Sequence, residues 1–153
     1  MTALIETALA AIATRLAAQI PGVPIDRARR AEVNLNTEPL PRLRLEAIEW
    51  AADETIEPLV VHYTLSFAVG GYVRAADGLQ AAAADLSAWQ RATELQAQVV
   101  AALSGWTPAE PGLGDAAQDG TDINLADADD SKIAAAEFTA RFTMLCLGPL
   151  IAA

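Results

Sequence analysis

The spacing of apolar residues along the chain predicts two helices. Between residues 2 and 19 apolar side chains recur at helical spacing, and Pro21 and Gly22 then end the helix. A second run of helix-forming residues extends over 81–106, and Gly105 is a typical helix-ending residue. The apolar positions of this second helix, which we expect to face the core, are Leu86, Trp89, Leu95, Val99 and Leu103.

Three other segments alternate between apolar and polar residues, which predicts strands with one buried face. The first is 42–50, and a turn is expected at Ala52–Glu54. In the second, 55–73, one face is predicted to carry Val61, Tyr63, Leu65, Phe67 and Val69. In the third, 137–147, the apolar side carries Phe138, Phe142, Met144 and Cys146.

Two further regions have weaker patterns. Val23 and Ile25 indicate a short strand before a long polar segment. Residues 107–120 are rich in proline and glycine and predict a loop, after which 121–136 begins like a strand but contains many aspartates.

The order of these elements predicts the α+β class, with an antiparallel sheet of four to five strands and two main helices packed on one face. The chain has 153 residues, of which 53% are hydrophobic. Because this length is typical of one domain with its own core, we expect residues 1–153 to form a single domain.

The net charge of the chain limits the classes of partner that it is expected to bind. Lys and Arg number 10 and Asp and Glu number 20, which gives a net charge of −10. Most of such a surface repels phosphate, so a protein that grips DNA or RNA is not expected. The N-terminal sequence has Glu6 where a secretory signal requires positive charge, and the chain has no apolar run of about 20 residues. We therefore predict a protein made in the cytoplasm without a membrane partner.

No spacing of reactive residues predicts an enzyme, a metal site or a cofactor. His62 is the only histidine and has no catalytic partner at a meaningful spacing. Cys146, the only cysteine, lies in an apolar run and is expected in the core. The aspartates after residue 114 lack the order of a calcium loop because the central glycine is absent, and the glycines lack phosphate-binding spacing.

Arginine is concentrated in one window of this acidic chain. The residues concerned are Arg27, Arg29, Arg30, Arg42 and Arg44. One interpretation is that they pair with acidic neighbours on a solvated loop and strand. The other is that they meet an acidic surface of a neighbouring copy or of another protein through charge-assisted hydrogen bonds. A separate region of opposite charge contains Asp115, Asp119, Asp127, Asp129 and Asp130.

Four segments in this order resemble the small tail terminator proteins of long-tailed bacteriophages and gene transfer agents. They are LPRLRL at 40–45, VVHYTLSFAV at 60–69, WQRATELQAQVVAAL at 89–103 and FTARFTMLCL at 138–147. The resemblance covers nearly the whole chain and is one of pattern, and the 107–122 segment has no counterpart in it.

The resemblance implies a virion structural protein without catalytic activity. In that family six copies form a ring that caps the tail tube and docks with the head connector or stopper protein, and DNA passes the lumen without specific binding. Rings require heterologous contacts between unlike surfaces, which the arginine and aspartate regions would supply. The alternatives are another head–tail connector or tail completion subunit, or a small cytoplasmic α+β binding module or enzyme with His62 or Tyr63 at a pocket between helix and sheet.

Overall fold

Two helices and five strands make up the part of the chain that the structure describes. The computed structural model describes residues 3–27, 39–57, 60–79, 81–125 and 134–149. Its elements are, in chain order, α1 (Leu4–Gln19), β1 (Ile25–Asp26), β2 (Arg42–Glu57), β3 (Val60–Arg74), α2 (Ala81–Leu103), β4 (Leu113–Leu125) and β5 (Ala135–Pro149). The α+β class predicted from the sequence is confirmed.

The strands form one sheet in the order β1-β2-β3-β5-β4. The pairs β2–β3, β3–β5 and β5–β4 are antiparallel, and only the two-residue β1 runs parallel to its neighbour. The last strand in sequence, β5, is therefore inserted between β3 and β4. The two edges of the sheet are formed by β1 with the uncovered part of β2 on one side, and by β4 on the other.

Both helices pack on the same face of the sheet, as predicted. Buried residues of α1 and α2 belong to one apolar cluster with the buried residues of β2, β3, β4 and β5. Arg15 of α1 joins the two helices, because its Nε donates to the carbonyl oxygen of Ala102 at 3.0 Å and its guanidinium lies over the Trp106 ring. The opposite face of the sheet, called here the outer face, is covered by no described residues.

The alternation predicted for β3 and β5 is confirmed residue by residue. Every second side chain of β3 from Val61 to Val69 is buried, as are Phe138, Phe142, Met144 and Cys146 of β5. Phe67 lies opposite Phe142 in the register, and their rings stack at 5.4 Å between centroids. Such cross-strand aromatic pairs stabilise a sheet beyond the apolar area they bury.

The turn predicted at Ala52–Glu54 is wrong, because β2 continues through it to Glu57. Pairing with β3 persists along this extension, with register shifts between Ala47 and Glu49, between Ala52 and Glu54, and between Thr55 and Glu57. Each shift places an extra residue on β2, which is how a β-bulge absorbs a break in the alternation. The polar residues that indicated a turn are thus accommodated in bulges of an edge strand.

The loop predicted for 107–120 is also wrong beyond residue 112, where β4 begins. Gly112 has a φ of +85°, and a β-carbon at residue 112 or 114 would collide with the carbonyl oxygen of Leu147 or Leu145. These glycines therefore allow the chain to approach β5 closely instead of breaking a strand. Asp115, Asp119 and Asp122 therefore lie on a strand and not in a loop.

The predicted inner face of α2 needs a correction at its N-terminal half. Leu95, Val99 and Leu103 are buried as expected, but Leu86 is 56% exposed and Trp89 is 42% exposed. Alanines fill this part of the contact with the sheet, namely Ala84, Ala88 and Ala92. Small side chains allow close approach of helix and sheet, so hydrophobicity alone assigned the wrong face.

Candidate functional site

The arginine and aspartate regions predicted from the sequence lie at opposite edges of the sheet. Arg42 and Arg44 are at the start of β2 and Arg27 directly follows β1, whereas Asp115 and Asp119 lie on β4. Three strand spacings separate β2 from β4, or about 14 Å at the usual distance between neighbouring strands. The two regions therefore do not pair with each other across the sheet of one chain.

Arg42 forms a bidentate ion pair with Asp26. Its Nε donates to Oδ2 at 2.5 Å and its Nη2 donates to Oδ1 at 3.1 Å. Both side chains are only 18% exposed. Because Asp26 lies on β1, the pair fastens this two-residue strand to β2, and the planar guanidinium suits that geometry. Arg42 therefore stabilises the edge of the sheet.

Arg27 and Arg44 hold carboxylates more loosely. The Nη2 of Arg27 lies 2.9 Å from Oε2 of Glu6, and the Nη2 of Arg44 lies 3.2 Å from Oε2 of Glu46. Each of these side chains is at least a third exposed, so the pairs contribute little to stability. Arg29 and Arg30 lie outside the described residues.

The aspartates of β4 are exposed on the other edge of the sheet. Asp115 accepts a hydrogen bond from the hydroxyl of Thr107, and Oδ2 of Asp122 lies 2.8 Å from Nη2 of Arg141 on β5. Asp119 is exposed beside a register shift. The remaining predicted aspartates lie outside the described residues, namely Asp127, Asp129 and Asp130.

His62 and Cys146, which have the most reactive side chains, do not form a catalytic group. His62 is half-buried on the outer face, where its cross-strand neighbours are Glu54 and Leu147. Burial raises the pKa of the Cys146 thiol to about 11, which keeps it protonated at neutral pH. Among the described residues no three His, Cys, Asp or Glu side chains are grouped so that they could hold a metal ion.

A cleft of about 290 Å³ lies between α2 and the end of β3. Its walls include Val73 of β3 with Arg91 and Leu95 of α2. His62 and Tyr63 do not line it, and Tyr63 is buried in a stack with Trp50 at 4.7 Å between ring centroids. The cleft is therefore not the pocket that the binding-module or enzyme hypothesis places beside His62 or Tyr63.

Exposed apolar side chains form a feature that the sequence prediction missed. On α2 these are Leu86 and Trp89, and on the outer face of the sheet they are Leu145 at 45% and Leu147 at 43% exposure. One available signal was the spacing of Ala84, Ala88 and Ala92, which continues that of the buried Leu95 and Val99 and leaves Leu86 outside this side of the helix. Uncovered apolar patches of this kind are typical of protein–protein contact surfaces.

Comparison with solved structures supports the fold. No protein-family model matches the sequence, and no curated protein matches it significantly. A chain from the virion of a native gene transfer agent particle has a similar structure, with a TM-score of 0.59. The alignment covers 97% of this chain and 100% of that chain at 15% sequence identity. At 15% identity this similarity shows a shared fold over the full length of the chain and nothing further. No helix of the described residues has the length and hydropathy needed to cross a bilayer.

Proposed function

We propose that this protein is a virion structural protein of the tail terminator type, six copies of which form a ring between the tail tube and the head connector. The observation that carries the proposal is the full-length fold likeness to a chain of a gene transfer agent virion. The element order that resembles tail terminators in sequence is the order found in the structure. The fold suggests this role only by analogy. The surfaces of the protein must also be suited to the contacts that the role requires.

The distribution of charge supports a subunit of a ring. A heterologous contact joins one surface to a different surface of the next copy, and only such contacts close into rings of more than two. The described charges provide unlike surfaces, with Arg27 and Arg44 at one edge of the sheet and Asp115 and Asp119 at the other. These residues, together with Arg29, Arg30 and Arg42 and with Asp127, Asp129 and Asp130, are the proposed subunit or partner contacts.

The net charge suits a ring through which DNA passes. With a net charge of −10, a lumen formed by this chain would repel the phosphate backbone and leave DNA free to move. The other proposed partners are the tail tube protein and the head connector or stopper protein. The protein is proposed to reside in the virion at the head–tail junction and to need no cofactor.

The test is electron microscopy of the purified protein mixed with isolated tail tubes that lack this protein. We expect a ring at one end of each tube, and image averaging then gives the number of copies. Infectious particles with normal tails in a strain that lacks the protein contradict the proposal. Binding to the head portal but not to the tube identifies another connector subunit instead.

A further variant separates the proposed role from that of a binding module or an enzyme. His62→Ala changes the outer face without touching either charged edge, so ring formation on tubes is expected to remain. If His62→Ala abolishes an activity of the protein while rings still form, the binding-module or enzyme hypothesis replaces the structural one.

A further inference from the structure

The cleft between α2 and the end of β3 opens at the edge of the sheet formed by β1 and β2, called here the arginine edge. Val23 shortly precedes β1 and Pro41 directly precedes β2, and both residues lie in the wall of the cleft. The lining is largely apolar, and two of its residues, Val73 and Leu95, are buried. A cleft of about 290 Å³ with this lining suits an apolar side chain.

Arginine outnumbers carboxylate in the lining of this cleft, although the chain has 20 acidic and only 10 basic residues. The charged lining residues are Arg74, Arg91 and Glu94. The Nη1 of Arg91 donates to the carbonyl oxygen of Arg74 at 3.3 Å, and Arg91 forms no ion pair with any described residue. Its guanidinium group therefore retains donors for a carboxylate from outside the described part of the chain.

The opposite edge of the sheet, formed by β4 and called here the aspartate edge, ends in an exposed leucine beside carboxylates. Leu125 is the last residue of β4 and is 43% exposed. Asp122 of the same strand is paired with Arg141. Glu137, the cross-strand partner of Asn124, is exposed and forms no ion pair with the described residues. An apolar side chain beside carboxylates is complementary to an apolar cleft that contains guanidinium groups.

The cleft and Leu125 lie at the same level of the sheet. Val73 of the cleft is opposite Ala136 on β5, and Ala136 is in turn opposite Leu125, so all three share the face that the helices cover. Within one chain Leu125 cannot enter the cleft, because β5 separates β4 from β3 and α2 packs over β5. Rotation about an axis parallel to the strands keeps each residue at its level, and so brings the aspartate edge of one copy to the arginine edge of the next.

We propose that Leu125 of one copy inserts into this cleft of the next copy, where Arg91 donates to a carboxylate beside the leucine. The contact rests on the proposed function, because it joins the two charged edges and would close the ring. A second copy is the occupant because the chain itself carries the complementary surface at the matching level. The contact joins unlike surfaces and repeats in every copy, as a ring requires.

Chemical cross-linking of cysteine variants tests which surfaces meet. Gln98 lines the cleft and Asn124 precedes Leu125, and both are exposed, so Gln98→Cys and Asn124→Cys leave the contacting side chains in place. The chain with both substitutions is treated with a bismaleimide, in solution and on tail tubes, and we expect a ladder of dimers, trimers and larger species. An equimolar mixture of the two single variants should yield dimers only. Wild-type protein is the control, because its only thiol, Cys146, is buried.

Each outcome of the cross-linking bears on the contact. Cross-linking of either single variant by itself indicates a symmetric contact and overturns the proposal. If no variant cross-links although rings form on the tubes, the cleft has another occupant, so the contact is overturned and the terminator function stands. A ladder in solution without rings on tubes supports the contact and contradicts the terminator function.

Truncation of the leucine provides a second measurement. Leu125→Ala is expected to lower the affinity between copies about tenfold, because the burial of its side chain is lost. The affinity is measured by sedimentation or from the protein concentration at which half of the tubes carry a ring. Leu86→Ala is the matched control, since Leu86 is 56% exposed but lies on neither surface. Equal effects of the two variants would contradict the proposal, and circular dichroism verifies that both remain folded.

Substitution of the charged lining residues tests the role of the guanidinium group. Arg91→Gln is expected to weaken the affinity between copies several-fold at low salt, and its difference from wild type should shrink as the salt concentration rises, because salt screens an exposed ion pair. Glu94→Gln removes a carboxylate from the same cleft and is expected to retain or raise the affinity. Equal losses for the two variants would show that the cleft does not receive a carboxylate.

Discussion

The ring of Phe138 occupies the space that a β-carbon of Gly71 would take. The two residues are opposite each other in the pairing of β3 with β5, on the face that the helices cover. A methyl group added at residue 71 would overlap three atoms of the ring. Glycine is therefore required at this position for the size of its side chain.

Gly71→Ala is expected to destabilise the protein by about 1–3 kcal/mol, the usual effect of overpacking a core. The measurement is urea unfolding followed by circular dichroism. Gly70→Ala is the control, because a β-carbon there would make only an ordinary contact of 3.6 Å with a backbone oxygen. We expect its effect to stay within about 0.5 kcal/mol. Equal losses for the two variants would mean that the strand needs glycine for its backbone conformation instead.

The alanines of α2 set the distance between helix and sheet. Ala92→Leu inserts a large side chain into a fully buried position and is expected to lower the free energy of unfolding by about 1–3 kcal/mol. Ala97→Leu places the same side chain on the exposed side, where we expect a change below about 0.5 kcal/mol. Urea unfolding of dilute protein measures both. A larger loss for Ala97→Leu would reverse the assignment of the two sides of the helix.

Burial of Cys146 makes stability depend on pH in the alkaline range. The thiol ionises at pH 9.0 in the unfolded chain and at about 11 in the folded protein. Between these values the unfolded state releases a proton that the folded state retains, so the free energy of unfolding falls as pH rises, by about 2–3 kcal/mol in all. The loss is absent below pH 9.0.

Cys146→Ala removes this titration and serves as the reference for other groups that ionise in the same range. The difference in unfolding free energy between wild type and variant should therefore shrink from pH 8 to pH 11. A difference that stays constant with pH would show that the thiol ionises equally in both states. Reaction of native wild-type protein with a thiol reagent at neutral pH should likewise be slow, and unfolding should accelerate it.

The Arg42–Asp26 pair is expected to stabilise the sheet edge measurably. Asp26→Asn retains the shape of the side chain but removes its charge, and we expect a loss of about 1 kcal/mol. Glu46→Gln, which weakens the more exposed pair with Arg44, is expected to change stability by less than about 0.5 kcal/mol. The same two variants can be tested for ring formation on tail tubes. This test distinguishes an arginine that only supports the sheet edge from one that contacts a partner.

Much of the fold was predictable from the sequence because large apolar residues recur at every second position of its two central strands. In β3 and β5 every second residue from Val61 to Val69 and from Phe138 to Cys146 is buried, and the period of two identifies such strands directly. The edges were harder to predict. Bulges interrupt the alternation of β2, and the glycines at 112 and 114 indicate a loop unless the closeness of β5 is known.

The candidate site was predictable only in part. Composition identified the arginines and the aspartates, and the strand pattern placed Arg42 and Arg44 together. Their separation from Asp115 depends on the insertion of β5 between β3 and β4, which is a long-range pairing without a local signal. The exposure of Trp89 was missed for a different reason, since periodicity cannot tell which apolar side of a helix faces the sheet.

The position of β5 makes the core incomplete until residues 135–149 have been synthesised. A nascent chain that has reached Leu125 contains both helices and four of the strands, yet β3 and β4 both lack their shared neighbour. Phe138, Phe142 and Met144 are still missing from the core, and the inner edge of β3 is open to pairing with other chains. Premature termination between Leu125 and Ala135 would therefore yield an aggregation-prone fragment instead of a smaller functional protein.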